Sequence, residues 1–104
     1  MSEPIRIRAR SANGRTDVLL LMPHPMETGL RKDTAGTFVP AHFITEVSVA
    51  IEGHPVLEAR LSQAVSRDPL MSFRVRGGKP GDRISVRWAD SRGDARSNEA
   101  FIAA

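Results

Sequence analysis

Along most of this chain apolar and polar residues alternate with a period of two, the repeat of a β-strand with one buried face. Ile5, Ile7 and Ala9 alternate with Arg6, Arg8 and Arg10, which predicts a strand with an apolar face and an arginine face. Asn13-Gly14 follows, a dipeptide that accepts the positive φ of a tight hairpin turn. Thr16–Leu21 predicts a second strand, more fully buried, with Val18 and Leu20 on one face and Leu19 and Leu21 on the other. In Phe43–Ile51, Phe43, Thr45, Val47, Val49 and Ile51 face one way and Ile44, Glu46, Ser48 and Ala50 the other. Glu52-Gly53-His54-Pro55 reads as a turn, and Val56–Leu61 as the next strand, with Leu57, Ala59 and Leu61 inward. Ser62–Pro69 is polar and predicts a crossover between sheets.

Leu70–Arg76 and Arg83–Ala89 flank Gly77-Gly78-Lys79-Pro80-Gly81-Asp82 and read as a hairpin. With Arg76 opposite Arg83, the apolar pairs Val75–Ile84, Phe73–Val86 and Met71–Trp88 fall on one face. The other face would then carry Arg74, Arg76, Arg83 and Arg87, a set suited to an anion or an acidic partner. Asp90–Asp94 is a turn, and Ala95–Ala103 a last strand whose inward face stays open between Ala100 with Ile102 and Phe101. Seven short strands without a helix predict an all-β, immunoglobulin-like antiparallel sandwich.

Met22–Ala41 breaks the pattern. It holds Pro23, Pro25, Gly29, Gly36 and Pro40, and its apolar residues show no period. Twenty residues without regular structure are long for a compact domain, and such loops are commonly functional.

The 104 residues and 11.4 kDa fit one domain, 1–104. The size scaling gives about 5,800 Å² of folded surface, enough burial for one modest core. Hydrophobic residues make up 40% and charged residues 26%, which excludes a disordered or collagen-like chain. The longest apolar run, Val18–Pro23, is far short of a membrane-spanning helix. Met1–Arg10 lacks the apolar stretch of a secretory leader. That predicts a cytoplasmic protein, or one exported with a leader-bearing partner.

There is no cysteine, so disulfides, thiolate metal sites and a cysteine nucleophile are excluded. No serine lies in a GxSxG elbow, and the glycines of 77–81 lack the order of a phosphate loop. His24, His42 and His54 match no metal motif; a His24–His42–Glu27 site is conceivable, and hydrogen bonding of His24 and His42 to loop backbone or a partner is the simpler role. No enzyme activity, metal or cofactor is expected. Of the fifteen basic residues all but Lys32 and Lys79 are arginine, yet the net charge is only +3. With five aromatics, two of them inward, stacking platforms for single-stranded nucleic acid are scarce. A small Arg-rich domain that binds nucleic acid or another acidic partner is the alternative reading.

The loop carries the most specific signal. His24-Pro25-Met26-Glu27-Thr28-Gly29-Leu30-Arg31-Lys32-Asp33, followed by Pro40-Ala41-His42-Phe43-Ile44, resembles the signature of the SoxZ family. Leu70-Met71-Ser72-Phe73, Gly77-Gly78 and Trp88 extend the resemblance over nearly the whole chain. The resemblance implies a non-catalytic sandwich subunit of the periplasmic thiosulfate-oxidation carrier. Its implied partner, SoxY, ends in a Gly-rich arm whose cysteine carries sulfur intermediates between the Sox enzymes. It also implies export as a passenger of that partner. His24, Pro25, Met26, Glu27, Thr28, Gly29, Arg31, Lys32 and His42 are the expected partner-binding residues. A free edge strand would let the isolated chain self-associate.

Overall fold

The computed structural model describes residues 3–104; Met1 and Ser2, the start of the segment read above for a leader, lie outside the described residues. Among the described residues seven strands follow one another: β1 (Arg6–Ala12), β2 (Arg15–Leu21), β3 (Ile44–Ile51), β4 (His54–Arg60), β5 (Leu70–Arg76), β6 (Arg83–Asp90) and β7 (Ala95–Phe101). They form a three-stranded sheet, β1-β2-β5, and a four-stranded sheet, β4-β3-β6-β7, with every pairing antiparallel. The fold is the expected all-β sandwich. Its core lies between the inner faces, where Val18, Leu20, Ile44, Val47, Val49, Ile84, Val86 and Trp88 are almost fully buried.

The β1–β2 hairpin turns at Asn13-Gly14, both with positive φ (55° and 74°), as a two-residue hairpin loop requires. The C-terminal segment closes one side of the sandwich. Ser11 donates its N–H to the Ala103 carbonyl at 2.8 Å, and Ala103 donates to Ala9 at 2.9 Å. This settles the last strand: Ile102 is buried and Phe101 faces out. Among the described residues, β4 and β5 each have a strand on one side only, so their outer edges are unpaired.

Four expectations need correction. The hairpin of Leu70–Arg76 with Arg83–Ala89 does not form: β5 pairs with β2, and β6 lies in the other sheet between β3 and β7. The residues expected inward are the ones that face the core, but period two fixes a strand's face and not its neighbour. Two strands facing each other across a core match as well as two side by side. Pairing with β2 sets Arg74 opposite Asp17, while Arg76, expected opposite Arg83, faces Arg15 instead.

Secondly, β2 is buried on one face only, and Leu19 is 40% exposed on the other. Thirdly, Ile44 is buried with Val47 and Val49, although its parity places it with Glu46; a register shift against β6 between Ile44 and Glu46 turns it inward. Fourthly, His54 and Pro55 belong to β4, and Glu52-Gly53 alone makes the turn, with φ 48° and 79°.

The segment between β2 and β3 is less irregular than its sequence. Glu27 pairs with His42 and Lys32 with Phe38 through isolated antiparallel bridges. Val39 N–H donates to Arg31, and Asp33 N–H to Thr37. The segment is thus a loose hairpin arm that turns near Gly36, and every residue from 30 to 38 is exposed. The molecule measures 54 × 20 × 20 Å with a radius of gyration of 15.5 Å. A compact chain of this length would have about 13 Å. Its surface, 6862 Å², likewise exceeds the size expectation of about 5,800 Å².

Candidate functional site

The arm is rooted at one end of the sandwich by a cluster of His24, His42 and Asp90. Pro23 and Pro25 fix the backbone on both sides of His24 and cannot extend a sheet ladder there. The His24 backbone N–H donates to Asp68 Oδ1 at 2.9 Å, and its carbonyl accepts the Asp68 N–H at 3.0 Å. The crossover between β4 and β5 therefore grips the arm's root. The buried His24 ring lies 5.0 Å from Trp88 and 4.6 Å from His42, edge to face with each.

His24 Nδ1 accepts the Met26 N–H at 3.1 Å. Met26 reaches this bond with φ at 48°, a strained value for a side chain of its size. Its sulfur in turn accepts the Ile44 N–H at 3.3 Å. With the lone pair on Nδ1, the His24 proton sits on Nε2, which donates to Asp90 Oδ2 at 3.0 Å. His42 Nε2 meets the same oxygen at 2.7 Å.

The second Asp90 oxygen, Oδ1, accepts the Arg92 and Asp94 N–H groups at 2.9 and 3.0 Å, which closes the β6–β7 turn. Burial would push the Asp90 carboxyl up; the bonds from His24, His42, Arg92 and Asp94 outweigh it and hold the group below the ordinary carboxylate range. One carboxylate thus joins the arm's root, the start of β3 and the β6–β7 turn.

Sequence reasoning missed Asp90. A signal existed: Ile84, Val86, Trp88 and Asp90 share the inward parity of β6, so the stripe of apolar positions ends in a charge. A charge at an inward position needs partners, and the two histidines are those partners.

Among the described residues, His24, His42 and Asp90 are the set whose ligand atoms, within 4.8 Å of one another, could hold a metal ion. His24 does not fit the task. A metal on Nε2 would need the ring proton on Nδ1, where it would face the Met26 N–H. The cluster is a hydrogen-bonded clasp. Glu27, named with the histidines in the sequence reading, turns away to a forked pair with Arg31 (2.7–3.1 Å). The Arg31 hydrogen bond lowers the Glu27 pKa, and the same bond raises that of Arg31.

The other arm residues have structural tasks as well. Thr28 Oγ1 accepts the Leu30 N–H at 3.0 Å. Gly29, at φ 87°, faces Ala41 so closely that a Cβ would lie 3.2 Å from that side chain. Lys32 Nζ sits 5.0 Å from the Phe38 ring centre. Pro25 is exposed beside a cavity of about 660 Å³, which His42, Trp88, Arg96 and Ser97 also line. Trp88 Nε1, buried there, has no hydrogen-bond partner among the described residues.

Arg74, Arg76, Arg83 and Arg87 do not share a face. Arg74 and Arg76 lie on the outer face of β1-β2-β5, and Arg83 and Arg87 on that of the other sheet, because β5 and β6 belong to different sheets.

The sequence matches, over residues 5–100, the family described as sulphur oxidation protein SoxZ. The chain belongs to the SoxZ family. The match covers both sheets, the clasp and the arm. No curated protein matches the chain.

Solved structures share the fold. A superoxide reductase in the oxidized state matches with a TM-score of 0.67 at 15% identity, covering 96% of this chain and 87% of that one. A superoxide reductase (neelaredoxin) from Archaeoglobus fulgidus gives 0.66 at 17%, covering 100% and 92%. A hypothetical protein from Pyrococcus horikoshii gives 0.67 at 16%, covering 96% and 88%. At such identities the likeness is one of fold alone.

Proposed function

We propose that this chain is the non-catalytic subunit of the periplasmic sulfur carrier complex, and that it binds and stabilises the cysteine-bearing SoxY subunit. The observation that carries this reading is the SoxZ family match over residues 5–100. The absence of cysteine agrees with it, because covalent sulfur chemistry then needs a second chain. Export would occur with that partner.

The arm is the contact we assign to the partner or its enzymes. Leu30 and Phe38 are 77% and 57% exposed, beside Arg31 and Lys32. Exposed apolar side chains next to arginine on a protruding hairpin are the composition of a binding anchor. The clasp fixes the direction in which the arm leaves the sandwich, so less order has to be gained on binding. The open β4 and β5 edges would serve self-association of the isolated chain.

Co-purification with a protein that ends in a Gly-rich, Cys-containing tail tests the reading, and a stable one-to-one complex is expected. Leu30→Asp with Phe38→Asp should weaken assembly or sulfur turnover more than tenfold and leave Tm unchanged, since both side chains are solvent-exposed. Unaltered assembly and turnover would sink the role of the arm; absence of any complex would sink the whole reading. Glu27→Ala and Arg31→Ala belong in the same series. Their pair is exposed at the arginine, so an effect on binding without an effect on Tm would locate it at the interface. His42 is unsuitable for this test because its loss would loosen the clasp.

A further inference from the structure

The charges on the two outer sheet faces are distributed unequally. On β4-β3-β6-β7 the outward charged residues are Arg60, Arg83 and Arg87 against Glu46, Glu58 and Glu99, a balanced set. On β1-β2-β5 they are Arg6, Arg8, Arg10, Arg15, Arg74 and Arg76 against Asp17 alone. All six arginines are exposed. Among the described residues only Arg74 of the six is ion-paired, to Asp17 at 2.5 Å. Arg15 stands directly opposite Arg76.

Neighbouring strands lie about 5 Å apart and same-face residues about 7 Å apart along a strand. The backbone position of each of these arginines therefore lies within the physiological screening length, about 8 Å, of another arginine's. Such a face repels itself, and neither the fold nor the core needs it. Leu19 and Leu70 stand exposed among the arginines, at 40% and 66%. A shallow groove of about 550 Å³ runs between Arg8, Arg10, Asp17 and Leu19 to Phe101. The face holds no lysine. Arginine with apolar side chains and without lysine is the composition of a protein interface. Base stacking would need a row of aromatic platforms, and Phe101 stands alone.

We propose that the outer face of β1-β2-β5 is a docking surface for an acidic protein surface that binds and leaves repeatedly. This rests on the carrier reading above: the permanent subunit contact lies elsewhere, and this face receives the enzymes in turn. Two observations favour a transient contact. The face is dominated by exposed charge, whereas permanent interfaces are more apolar. Its field, set by six arginines, would speed encounter and weaken with salt.

The test uses the heterodimer with its cysteine-bearing partner and, as probes, the sulfur-oxidising enzymes, a 30-nucleotide single-stranded DNA and phosphatidylglycerol vesicles. Arg8→Glu, Arg10→Glu and Arg15→Glu together should weaken binding of at least one enzyme more than tenfold and flatten its salt dependence. The heterodimer and its Tm should be unchanged, and Arg83→Glu with Arg87→Glu on the balanced face should have little effect. Unchanged affinity for every enzyme would overturn the proposal. So would loss of the heterodimer in the triple variant, which would make this face the permanent interface. Charge-dependent binding of the DNA or the vesicles alone would assign the face to nucleic acid or membrane instead. Failure of the unaltered chain to form the heterodimer would be seen before any arginine is changed, and would overturn the carrier reading and this proposal together.

Discussion

Asp90→Ala is expected to lower stability by about 3 kcal/mol, the scale for removing one member of a buried hydrogen-bonded charge network. For a domain of this size that is a fall of about 15 °C in Tm. The Asp90 side chain is 1% exposed, and its two oxygens accept bonds from His24, His42, Arg92 and Asp94. Alanine leaves two backbone N–H groups and a buried imidazole donor without partners, and each such group is costly. Thermal unfolding checks the magnitude, and amide hydrogen exchange at Met26, Arg92 and Asp94 checks the place. A fall of less than about 4 °C, or protection at those amides left intact, would mean the clasp does not hold the arm.

The same carboxylate fixes a pH dependence. Its folded pKa lies below the ordinary value of 3.8, so between the two values the unfolded chain binds more protons than the folded one. The Asp90 contribution is complete above pH 3.8 and is lost as pH falls through the folded value. Asp90→Asn should flatten that part of the acid-unfolding curve; an identical acid limb in both proteins would contradict the assignment.

Gly78→Ala is the second substitution with a large expected effect. A Cβ at Gly78 would collide with Thr16 Oγ1, and Gly78 has φ 78°. Thr16 is fully buried and donates to the Gly77 carbonyl at 2.8 Å, while Ser11 Oγ donates to the Gly78 carbonyl at 3.0 Å. A β-branched side chain held in this way has little room to turn aside. The loss is expected to reach about 3 kcal/mol, an overpacking cost added to the backbone strain. Gly81→Ala separates the two terms. Gly81 has φ 91° but nothing within 4 Å of its added Cβ, so only the strain of about 1 kcal/mol applies. Equal losses at both positions would refute the steric argument.

Much of the fold was legible in the sequence, because a period of two states which face of a strand is buried. The seven strands, the Asn13-Gly14 turn, the crossover at 62–69 and the inward set Ile84, Val86 and Trp88 followed from it. Local pattern cannot state which strand lies beside which, since facing across a core and pairing within a sheet satisfy the same alternation. The β5–β6 hairpin failed for that reason, and the expected set Arg74, Arg76, Arg83 and Arg87 was divided between two faces.

The candidate site divides the same way. The unusual loop from Met22 and its two histidines were visible as a break in period, and the family resemblance lay in the same residues. Asp90 ends the inward stripe of β6, yet its turn position masked that signal, and its partner His24 lies 66 positions away in the chain. That these 104 residues carry no thiol was fixed by the sequence alone. Only the tertiary structure decided that one buried carboxylate roots the arm, and that Arg6, Arg8 and Arg10 join Arg15, Arg74 and Arg76 on one sheet. The physical reason is common to both: hydrogen bonds and electrostatic fields act through space, and strand order determines which residues share that space.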